Sequence, residues 1–188
     1  MPRRAFVFDP PDRFLAGTVG APGSRTFFLQ AREGARVVSV ALDKTQVAVL
    51  ADRLGRLLIE LDERGIADLD AVKVPNDVAP LDEPLNEAFR AGTLTLGWDG
   101  ERGTILIEAR AQTEEDDDPE AFEALGTLDD DPDGPDLLRV RIPAGAARAF
   151  VERAMRGGRA GRPPCPLCGN PLDPGGHICP RRNGAYVH

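Results

Sequence analysis

The last quarter of the chain concentrates the side chains that most readily bind a metal ion. All three cysteines, Cys165, Cys168 and Cys179, fall within 15 residues, and His177 is one of only two histidines in the sequence. Two residues separate Cys165 from Cys168, so one tight turn can direct both thiolates at the same ion. Four Cys and His ligands suit tetrahedral zinc. The spacing therefore predicts a small structural zinc knuckle formed by Cys165, Cys168, His177 and Cys179.

Other interpretations of these cysteines stay open. A redox-active C-x-x-C pair usually opens a helix, whereas Pro171 and Pro174 follow this pair and no strand precedes it. The thiols could also be idle. A disulfide between Cys165 and Cys168 would leave Cys179 unpaired, in a chain that we expect to occupy a reducing cytosol. If zinc is bound, four protein ligands leave no position for water, which favours a structural role over a catalytic one.

Charge is unevenly distributed along the 188-residue chain, whose formal net charge is −8. Residues 113–136 contain twelve Asp or Glu and no Lys or Arg, whereas residues 139–188 contain nine Arg and two acidic residues. The arginines that we expect to form a docking surface are Arg153, Arg156, Arg159, Arg162, Arg181 and Arg182. A protein is the expected partner. Nucleic acid is a weaker choice, because the net negative charge repels a long polyanion.

Hydrophobic patterning predicts the helices and strands of the rest of the chain. Apolar residues recur at three- and four-residue intervals over residues 44–63, which indicates an amphipathic helix after an Asp43 N-cap. A second helix is expected from Pro143 to Gly157. Residues 85–90 are predicted to form a short helix. Apolar or alternating stretches predict strands at residues 3–9, 14–20, 26–31, 37–42, 93–98, 104–111 and 137–142.

Two stretches of the chain share one layout, which suggests an internal repeat. Residues 38–54 and 139–155 both have the order strand, cap, helix, at a shift of 100 positions, and residues 26–32 resemble residues 104–110 at a shift of 78. The predicted fold is α+β: a mostly antiparallel sheet from two hairpin–strand–helix units, with both helices on one face, plus a small C-terminal zinc knuckle. Chance similarity between stretches of an α+β domain is the alternative.

Composition divides the chain into an α+β domain at residues 1–158 and a linker with the zinc knuckle at residues 159–188. Within the domain, residues 113–136 form an acidic insert that carries like charges and few apolar residues. We expect this insert to be flexible, because it has too little apolar surface to offset the entropy of ordering. A short amphipathic helix at residues 119–126 is the alternative, since Pro119 can open one.

Three stretches resemble a known family: the opening RAFVFDPPDRFLAGTVG, the pair FRAGTLTLGWD and ILIEARA, and the ending CPLCGNPLDPGGHICPRRNGAYVH. The chain is similar, over nearly its whole length, to an actinobacterial family of conserved hypothetical proteins, a domain of unknown function with a zinc-knuckle ending. The resemblance implies a cytosolic actinobacterial protein and supports the metal knuckle at the positions named above. It also implies genes that often lie near those for a histidine-phosphatase-like and a lipid-kinase-like protein, and it carries over no activity.

No recognisable catalytic motif occurs in the sequence. The patterns of nucleophile elbows, phosphate-binding loops and zinc proteases are missing. Charged residues in or beside strands are expected to form cross-strand pairs rather than catalytic groups; these are Asp9, Asp12, Arg13, Glu108 and Arg110. The predicted function is a non-enzymatic binding or adaptor module with a structural zinc site. The alternatives are an enzyme with a carboxylate-based site and a zinc-knuckle nucleic-acid binder.

We expect a cytoplasmic protein that does not enter a membrane. No apolar run approaches the ~18 residues of a membrane span. The first residues, MPRRAFVFDPPD, lack the apolar stretch of a signal peptide.

Metal analysis of the purified chain should find about one zinc ion per chain, as expected for a single four-ligand site. Cys168→Ser should lose the metal and expose residues 163–188 to proteolysis, while the thermal unfolding of the body stays unchanged, because the ion organises a segment with little core of its own. His188→Ala, which changes the other histidine, is the control and should retain zinc. A metal-free wild-type chain would contradict the assignment.

Overall fold

The protein combines two helices with a large sheet in a computed structural model that describes residues 2–74, 76–114, 122–124, 130–159 and 167. The helices are α1 (Lys44–Glu63) and α2 (Ala144–Arg159). The strands are β1 (Ala5–Phe8), β2 (Arg13–Val19), β3 (Thr26–Glu33), β4 (Arg36–Leu42), β5 (Glu87–Asp99), β6 (Thr104–Ala111), β7 (Phe122–Ala124) and β8 (Leu137–Ile142). The predicted α+β class is confirmed.

Seven strands lie side by side in the order β1-β8-β6-β5-β4-β3-β2, and β7 pairs with β5 outside this path. The pairs β2–β3, β3–β4, β5–β6 and β6–β8 are antiparallel, whereas β1–β8, β4–β5 and β5–β7 are parallel. The sheet is therefore mixed, and its two antiparallel parts, β2–β3–β4 and β5–β6–β8, are joined by the parallel pairing of β4 with β5.

Strand β5 joins the two halves of the sheet. Its first residues, Glu87 to Arg90, pair in parallel with β4, and Leu94 to Asp99 pair antiparallel with β6. The register shifts between Ala91 and Leu94, where the strand changes partners. The short helix predicted at residues 85–90 is therefore wrong. Pairing with β4 overrides the local helix propensity of this stretch.

Helix α1 forms where the sequence pattern predicts it. Leu50, Leu54, Leu58 and Leu61 are buried along one face. At its start, the Gln46 side chain accepts a hydrogen bond from the Asp43 backbone N–H at 2.9 Å, which completes a capping box. The buried Gln46 amide group also donates to the carbonyl oxygens of Ala91 and Gly92, at 3.1 and 3.0 Å. These two bonds attach the helix to the irregular point of β5.

One hydrophobic core unites the sheet with both helices. It contains inward-facing residues of the strands and buried residues of α1 and α2. Phe150 of α2 is only 1% exposed, and its ring stacks on Phe14 of β2 with 5.0 Å between the ring centroids. Arg36 at the start of β4 donates to the Val7 carbonyl oxygen of β1 at 3.1 Å, although three strands separate β1 from β4 in the strand order.

The acidic insert is described only in part. Residues 122–124 form β7, which pairs with Leu94 to Leu96 of β5, so these residues are a strand and not part of the alternative helix. The other residues between 115 and 129 lie outside the described part, and the predicted flexibility stays a prediction. In the part of the chain that the structure describes, neither helix has the length and apolar character needed to span a membrane.

Phe150→Ala should lower the free energy of unfolding by about 3–5 kcal/mol, because it removes a fully buried ring and leaves a cavity beside Phe14. Urea unfolding monitored by circular dichroism measures this loss. Ile66→Ala is the control: Ile66 is half exposed, and its truncation should change stability by no more than about 0.5 kcal/mol. Equal losses of unfolding free energy in the two variants would contradict the assignment of Phe150 to the buried core.

Candidate functional site

An open groove of about 1020 Å³ lies between the two helices, strand β2 and the loop that precedes β5. We call it the helix-pair groove, and we call residues 76–86 the groove loop. Its lining includes residues of α1, the last turns of α2, residues 16–19 of β2 and six residues of the groove loop. The volume matches the upper range of small-molecule pockets.

The α1 wall of the groove follows one stripe of the helix. Ala48, Asp52, Gly55 and Ile59 recur at three- and four-residue spacing, which places them on one side of the helix. Gly55 faces α2, because a Cβ atom there would lie in ordinary van der Waals contact with the Cγ1 of Val151, at 3.8 Å. The helices therefore meet at Gly55 and Val151, and the groove opens beside that contact.

The α2 wall is formed by the end of the helix. Val151, Ala154 and Met155 contribute apolar surface, and Arg156 and Gly157 complete the wall. Met155 is more than half exposed. Helix α2 ends at Arg159, two residues after Gly157, and residues 160–188, which we call the C-terminal segment, follow it in the sequence.

Arg13 of β2 holds the groove loop in place through five hydrogen bonds. Its guanidinium donates twice to the carboxylate of Asp77, and once to that of Asp82 at 2.9 Å. It also donates to the carbonyl oxygens of Ala79 and Pro80, at 2.9 and 2.8 Å. The side chain is mostly buried, and its planar fork matches two carboxylates and two carbonyl groups at once. The loop therefore needs no regular secondary structure to keep its shape.

Arg153 of α2 binds the same loop from the opposite side. It donates to the Asp77 carbonyl oxygen at 2.9 Å, to the Ala79 carbonyl oxygen at 2.6 Å and to the Asp77 carboxylate at 3.3 Å. A further bond of 3.3 Å reaches the carbonyl oxygen of Ala16 in β2. Arg153 thus connects α2, the loop and the sheet, and Asp77 lies between two arginines.

Two neutral contacts fix the remainder of the groove loop. The buried Gln30 side chain accepts a hydrogen bond from the Asp82 backbone N–H at 2.8 Å and donates to the Asp82 carbonyl oxygen at 3.0 Å. Leu81 packs against Gly17 so closely that a Cβ atom at Gly17 would lie 2.7 Å from the Leu81 side chain. A side chain at residue 17 would therefore force the Leu81 side chain to move.

The electrostatics of the groove reflect these contacts. The pKa of Asp77 is lowered, chiefly because Arg13 donates hydrogen bonds to its carboxylate. Partial burial acts in the opposite direction. The same bonds raise the pKa of Arg13. On the α1 wall, Asp52 forms an exposed ion pair with Arg56 at 3.0 Å. Asp77 is consequently a poor general base, because its charged form is stabilised by the arginines around it.

The charged residues that the sequence placed in or beside strands form ion pairs and backbone contacts. Glu108 of β6 lies opposite Arg139 of β8 and accepts a hydrogen bond from it at 2.6 Å, as a cross-strand pair. Asp9 forms an ion pair with Arg102, and Asp12 accepts a bond from the Gly34 backbone N–H at 2.7 Å. Arg13 differs, because it binds the groove loop rather than a neighbouring strand.

The predicted zinc ligands lie outside the described residues. These are Cys165, Cys168, His177 and Cys179. Within the described part, no cluster of three or more His, Cys, Asp or Glu is placed to hold a metal ion. The zinc site therefore stays a prediction, and its donor set of three thiols and one imidazole fits the ion chemically.

The expected docking arginines divide into separate groups. Arg156 is exposed on the lining of the groove, at the end of α2. Arg153 is instead turned inward onto the groove loop. The structure describes the backbone of Arg159 but not its side chain, and Arg162, Arg181 and Arg182 lie outside the described part.

The groove itself was missed by sequence reasoning. Its clamp joins Arg13 to residues 64 to 69 positions further along the chain, and such long-range pairing leaves no periodic signal. One signal was present: the prolines at 80 and 84 interrupt a stretch that also carries Asp77 and Asp82.

Fold and site together define an α+β protein with an apolar groove between two helices and an arginine-clamped loop. The comparison with family profiles matches residues 6–179 to the family described as "Protein of unknown function (DUF3090)". The chain belongs to this family. No curated protein and no solved structure is detectably similar to it.

Asp77→Asn should lower the free energy of unfolding at pH 7 by about 1–3 kcal/mol, because it removes the charge that Arg13 and Arg153 share. The pKa of Asp77 is lowered in the folded chain. The contribution of the Asp77 carboxylate to stability is thus fully present above its pKa in the unfolded chain, about 3.9. It is lost as the pH falls through the lower pKa of the folded chain. The difference between wild type and variant, measured by urea unfolding from pH 7 to pH 2.5, should shrink in that window.

Asp52→Asn is the matched control for this series. Its ion pair with Arg56 is solvent-exposed, and such pairs contribute only about 0.2–1 kcal/mol. Two results would contradict the central role of the Arg13 clamp. One is a loss of unfolding free energy in Asp52→Asn as large as in Asp77→Asn, and the other is a loss in Asp77→Asn that does not change with pH.

Proposed function

We propose that the chain is a non-enzymatic binding module. In this proposal a rigid α+β body carries a structural zinc knuckle at Cys165, Cys168, His177 and Cys179, and the basic C-terminal segment contacts a protein partner in the cytosol. The observation that carries the proposal is the helix-pair groove. The groove is large and apolar. Two of its acidic lining residues, Asp77 and Asp52, form ion pairs with Arg13 and Arg56.

The pairing of these carboxylates favours binding over catalysis. A general base must accept a proton near the working pH, so its pKa must lie near that pH. Asp77 has its pKa lowered by Arg13, and Asp52 is paired with Arg56. The enzyme alternative needs a cluster of carboxylates in a pocket, and these two residues do not form one.

The basic surface that we propose starts at the end of α2. Arg156 is exposed there, and the chain continues into a segment with Arg159, Arg162, Arg181 and Arg182. Arg153 is removed from this surface, because its guanidinium binds the groove loop. A zinc ion would make the segment rigid, and a rigid surface loses less entropy on binding than a flexible tail does.

We also propose that the body is a two-unit repeat. Support comes from the strand registers: Phe27 pairs with Leu42 in the first hairpin, and Ile105 pairs with Ile142 in the second. These pairs are related by the shifts of 78 and 100 positions that the sequence suggests. Both helices contribute to the same core, in agreement with packing on one face of the sheet.

The contact surface is tested by charge reversal. Arg181→Glu combined with Arg182→Glu should abolish the capture of a protein partner by the full zinc-loaded chain from a native extract, because two basic contacts become acidic. Capture followed by mass spectrometry is the measurement. Arg64→Glu combined with Arg102→Glu is the matched control, since it changes the net charge equally at exposed positions of the body.

Each outcome of the capture experiment distinguishes the alternatives. Loss of the same partner in both double variants would indicate a non-specific charge effect, and retention in both would place the contact surface elsewhere. Capture that disappears after nuclease treatment would favour the nucleic-acid alternative. A chain that captures no partner but consumes a metabolite in an untargeted screen would establish the enzyme alternative.

A further inference from the structure

Exposed apolar side chains are concentrated at the helix-pair groove. Seven large apolar residues are exposed in the described part of the chain, and four of them line the groove: Val19, Ile59, Val78 and Met155. These four come from β2, α1, the groove loop and α2, so every wall contributes one. Contiguous apolar surface of this kind marks an interaction site in soluble proteins.

The groove is too open to enclose a small molecule, although its volume reaches the range of small-molecule pockets. Such pockets cover roughly 70–90% of the surface of a ligand. Here Ile59 and Met155 are more than half exposed, and Val78 is 76% exposed. A small ligand on the floor of the groove would leave these apolar rims in water. The occupant should therefore be broad enough to cover them, as a segment of another protein is.

The α1 wall has the length to receive a helix. The residues of α1 that line the groove extend from Lys44 to Ile59. At 1.5 Å per residue this wall is about 22 Å long, which matches a partner helix of about 15 residues. An amphipathic helix that binds in a groove contacts it through apolar residues at i, i+3 or i+4, and i+7. The shape of the wall suits this mode of recognition.

Strand β2 is less suited to accept an added strand at the groove. It lies at the end of the strand order, where unpaired backbone groups can bind a further strand. The Ala16 carbonyl oxygen of β2 already accepts a hydrogen bond from Arg153 at 3.3 Å. Arg153 also binds the groove loop, so its displacement would disturb two elements. A helix needs no such exchange, because its backbone hydrogen bonds are internal.

Charge on the lining favours an acidic occupant. Lys44 and Arg156 are exposed lining residues, and neither forms an ion pair with an acidic residue in the described part of the chain. The lining has three acidic residues. Asp52 and Asp77 are paired with arginines, which leaves Glu83. Unpaired basic residues thus outnumber unpaired acidic ones on the lining.

The end of α2 is the most favourable place for an acidic group. The pKa of Arg153 is lowered, chiefly by burial, and the charges of Arg13 and Arg156 act in the same direction while Asp77 opposes them. Like charges therefore lie near one another at this wall. A carboxylate beside Arg156 would offset their repulsion, as complementary charges do across protein interfaces.

We propose that the helix-pair groove binds an amphipathic helix of a protein partner. The apolar face of that helix contacts Ile59 and Met155, and an acidic residue beside this face contacts Arg156. This inference shares only the class of partner with the proposed function. It goes beyond that function, because it assigns a contact surface on the body that does not depend on the zinc knuckle.

Peptide selection tests the chemistry of the occupant. A phage-displayed library of random peptides of about 15 residues, the length of the α1 wall, is selected on the full chain. We expect the enriched peptides to carry apolar residues at i, i+3 or i+4, and i+7, with Asp or Glu beside this stripe. Enrichment of basic peptides, of peptides without helical spacing, or of none would contradict the proposal.

The apolar contact is tested with the most enriched peptide in fluorescence anisotropy. Ile59→Asp should weaken binding about tenfold or more, because the burial of one aliphatic side chain is lost. Ile66→Asp is the matched control, since Ile66 is exposed to a similar extent but does not line the groove, and it should bind as the wild type does. Equal weakening in the two variants, or none in Ile59→Asp, would overturn the proposal.

The charged contact is tested in the same assay. Arg156→Glu should weaken binding about threefold to tenfold at low salt and less at high salt, because an exposed attraction becomes a repulsion. Arg64→Glu, which makes the same charge change at an exposed position outside the groove, should have no effect.

A further variant separates this inference from the proposed function. Arg181→Glu combined with Arg182→Glu should leave peptide binding unchanged. Loss of peptide binding in this double variant but not in Ile59→Asp would refute the groove and favour the C-terminal surface. Loss in Ile59→Asp alone would support the groove, whether or not the C-terminal surface captures a partner.

A methyl spectrum locates the contact directly. The chain has only two methionines, Met1 and Met155, so a sample labelled with ¹³C at the methionine methyl groups gives at most two signals, and Met155→Leu identifies that of Met155. We expect the Met155 signal to shift on addition of the peptide and to saturate with the binding curve. A bound peptide that leaves this signal unchanged would contradict the proposed position.

Other occupants of the groove give different results. Sedimentation of the chain without peptide would show a dimer that Ile59→Asp dissociates if a second copy were the occupant. Flotation with vesicles of phosphatidylcholine and phosphatidylglycerol would show binding that Ile59→Asp abolishes if a lipid surface were the occupant. Either result would overturn the assignment to a partner helix.

Discussion

A buried guanidinium must find acceptors for its N–H groups, and at Arg13 this requirement shapes the candidate site. All five of its bonds go to the groove loop, two of them to Asp77. The loop gains from the same bonds, because its carbonyl groups at Ala79 and Pro80 have no strand partner to satisfy them. Arg13 thus provides more of the side-chain hydrogen bonds to this wall of the groove than either Arg153 or Gln30 does.

In both halves of the sheet, a cross-strand pair of polar side chains also binds an irregular stretch of chain. Gln30 and Ser39 form a buried cross-strand pair in the first hairpin, and Gln30 binds Asp82 of the groove loop. The positions related by the two shifts are Glu108 and Arg139, an ion pair in which Arg139 also reaches Asp130 at 3.1 Å. Each hairpin thus uses one polar pair to bind an irregular stretch of chain. In the proposed repeat, Asp82 of the groove loop and Asp130 of the acidic insert are bound in corresponding ways.

Local pattern predicted most elements, and long-range pairing accounts for the failures. The boundaries of α1 and β6 follow directly from apolar periodicity and turn residues. The local pattern predicts a helix over residues 87–90, but these residues form a strand because they pair with β4, which lies over forty positions earlier. Arg153 was expected on the surface for the same reason. The helical pattern of the sequence places Arg153 on the polar, solvent-facing side of α2. Its partners in the structure are backbone oxygens and the carboxylate of Asp77, which lie far away in the sequence.

Helix α2 connects the core, the groove and the C-terminal segment within a few residues. Phe150 lies in the core, Arg153 binds the groove loop and Met155 lines the groove. Residues 150 and 153 are three apart, so they lie on the same face of the helix, and the core contact at Phe150 orients that face. A group that contacts Met155 therefore acts on a helix already anchored at Phe150 and Arg153. Since these anchors order the wall before anything binds, an apolar group that enters the groove loses little additional entropy from the body.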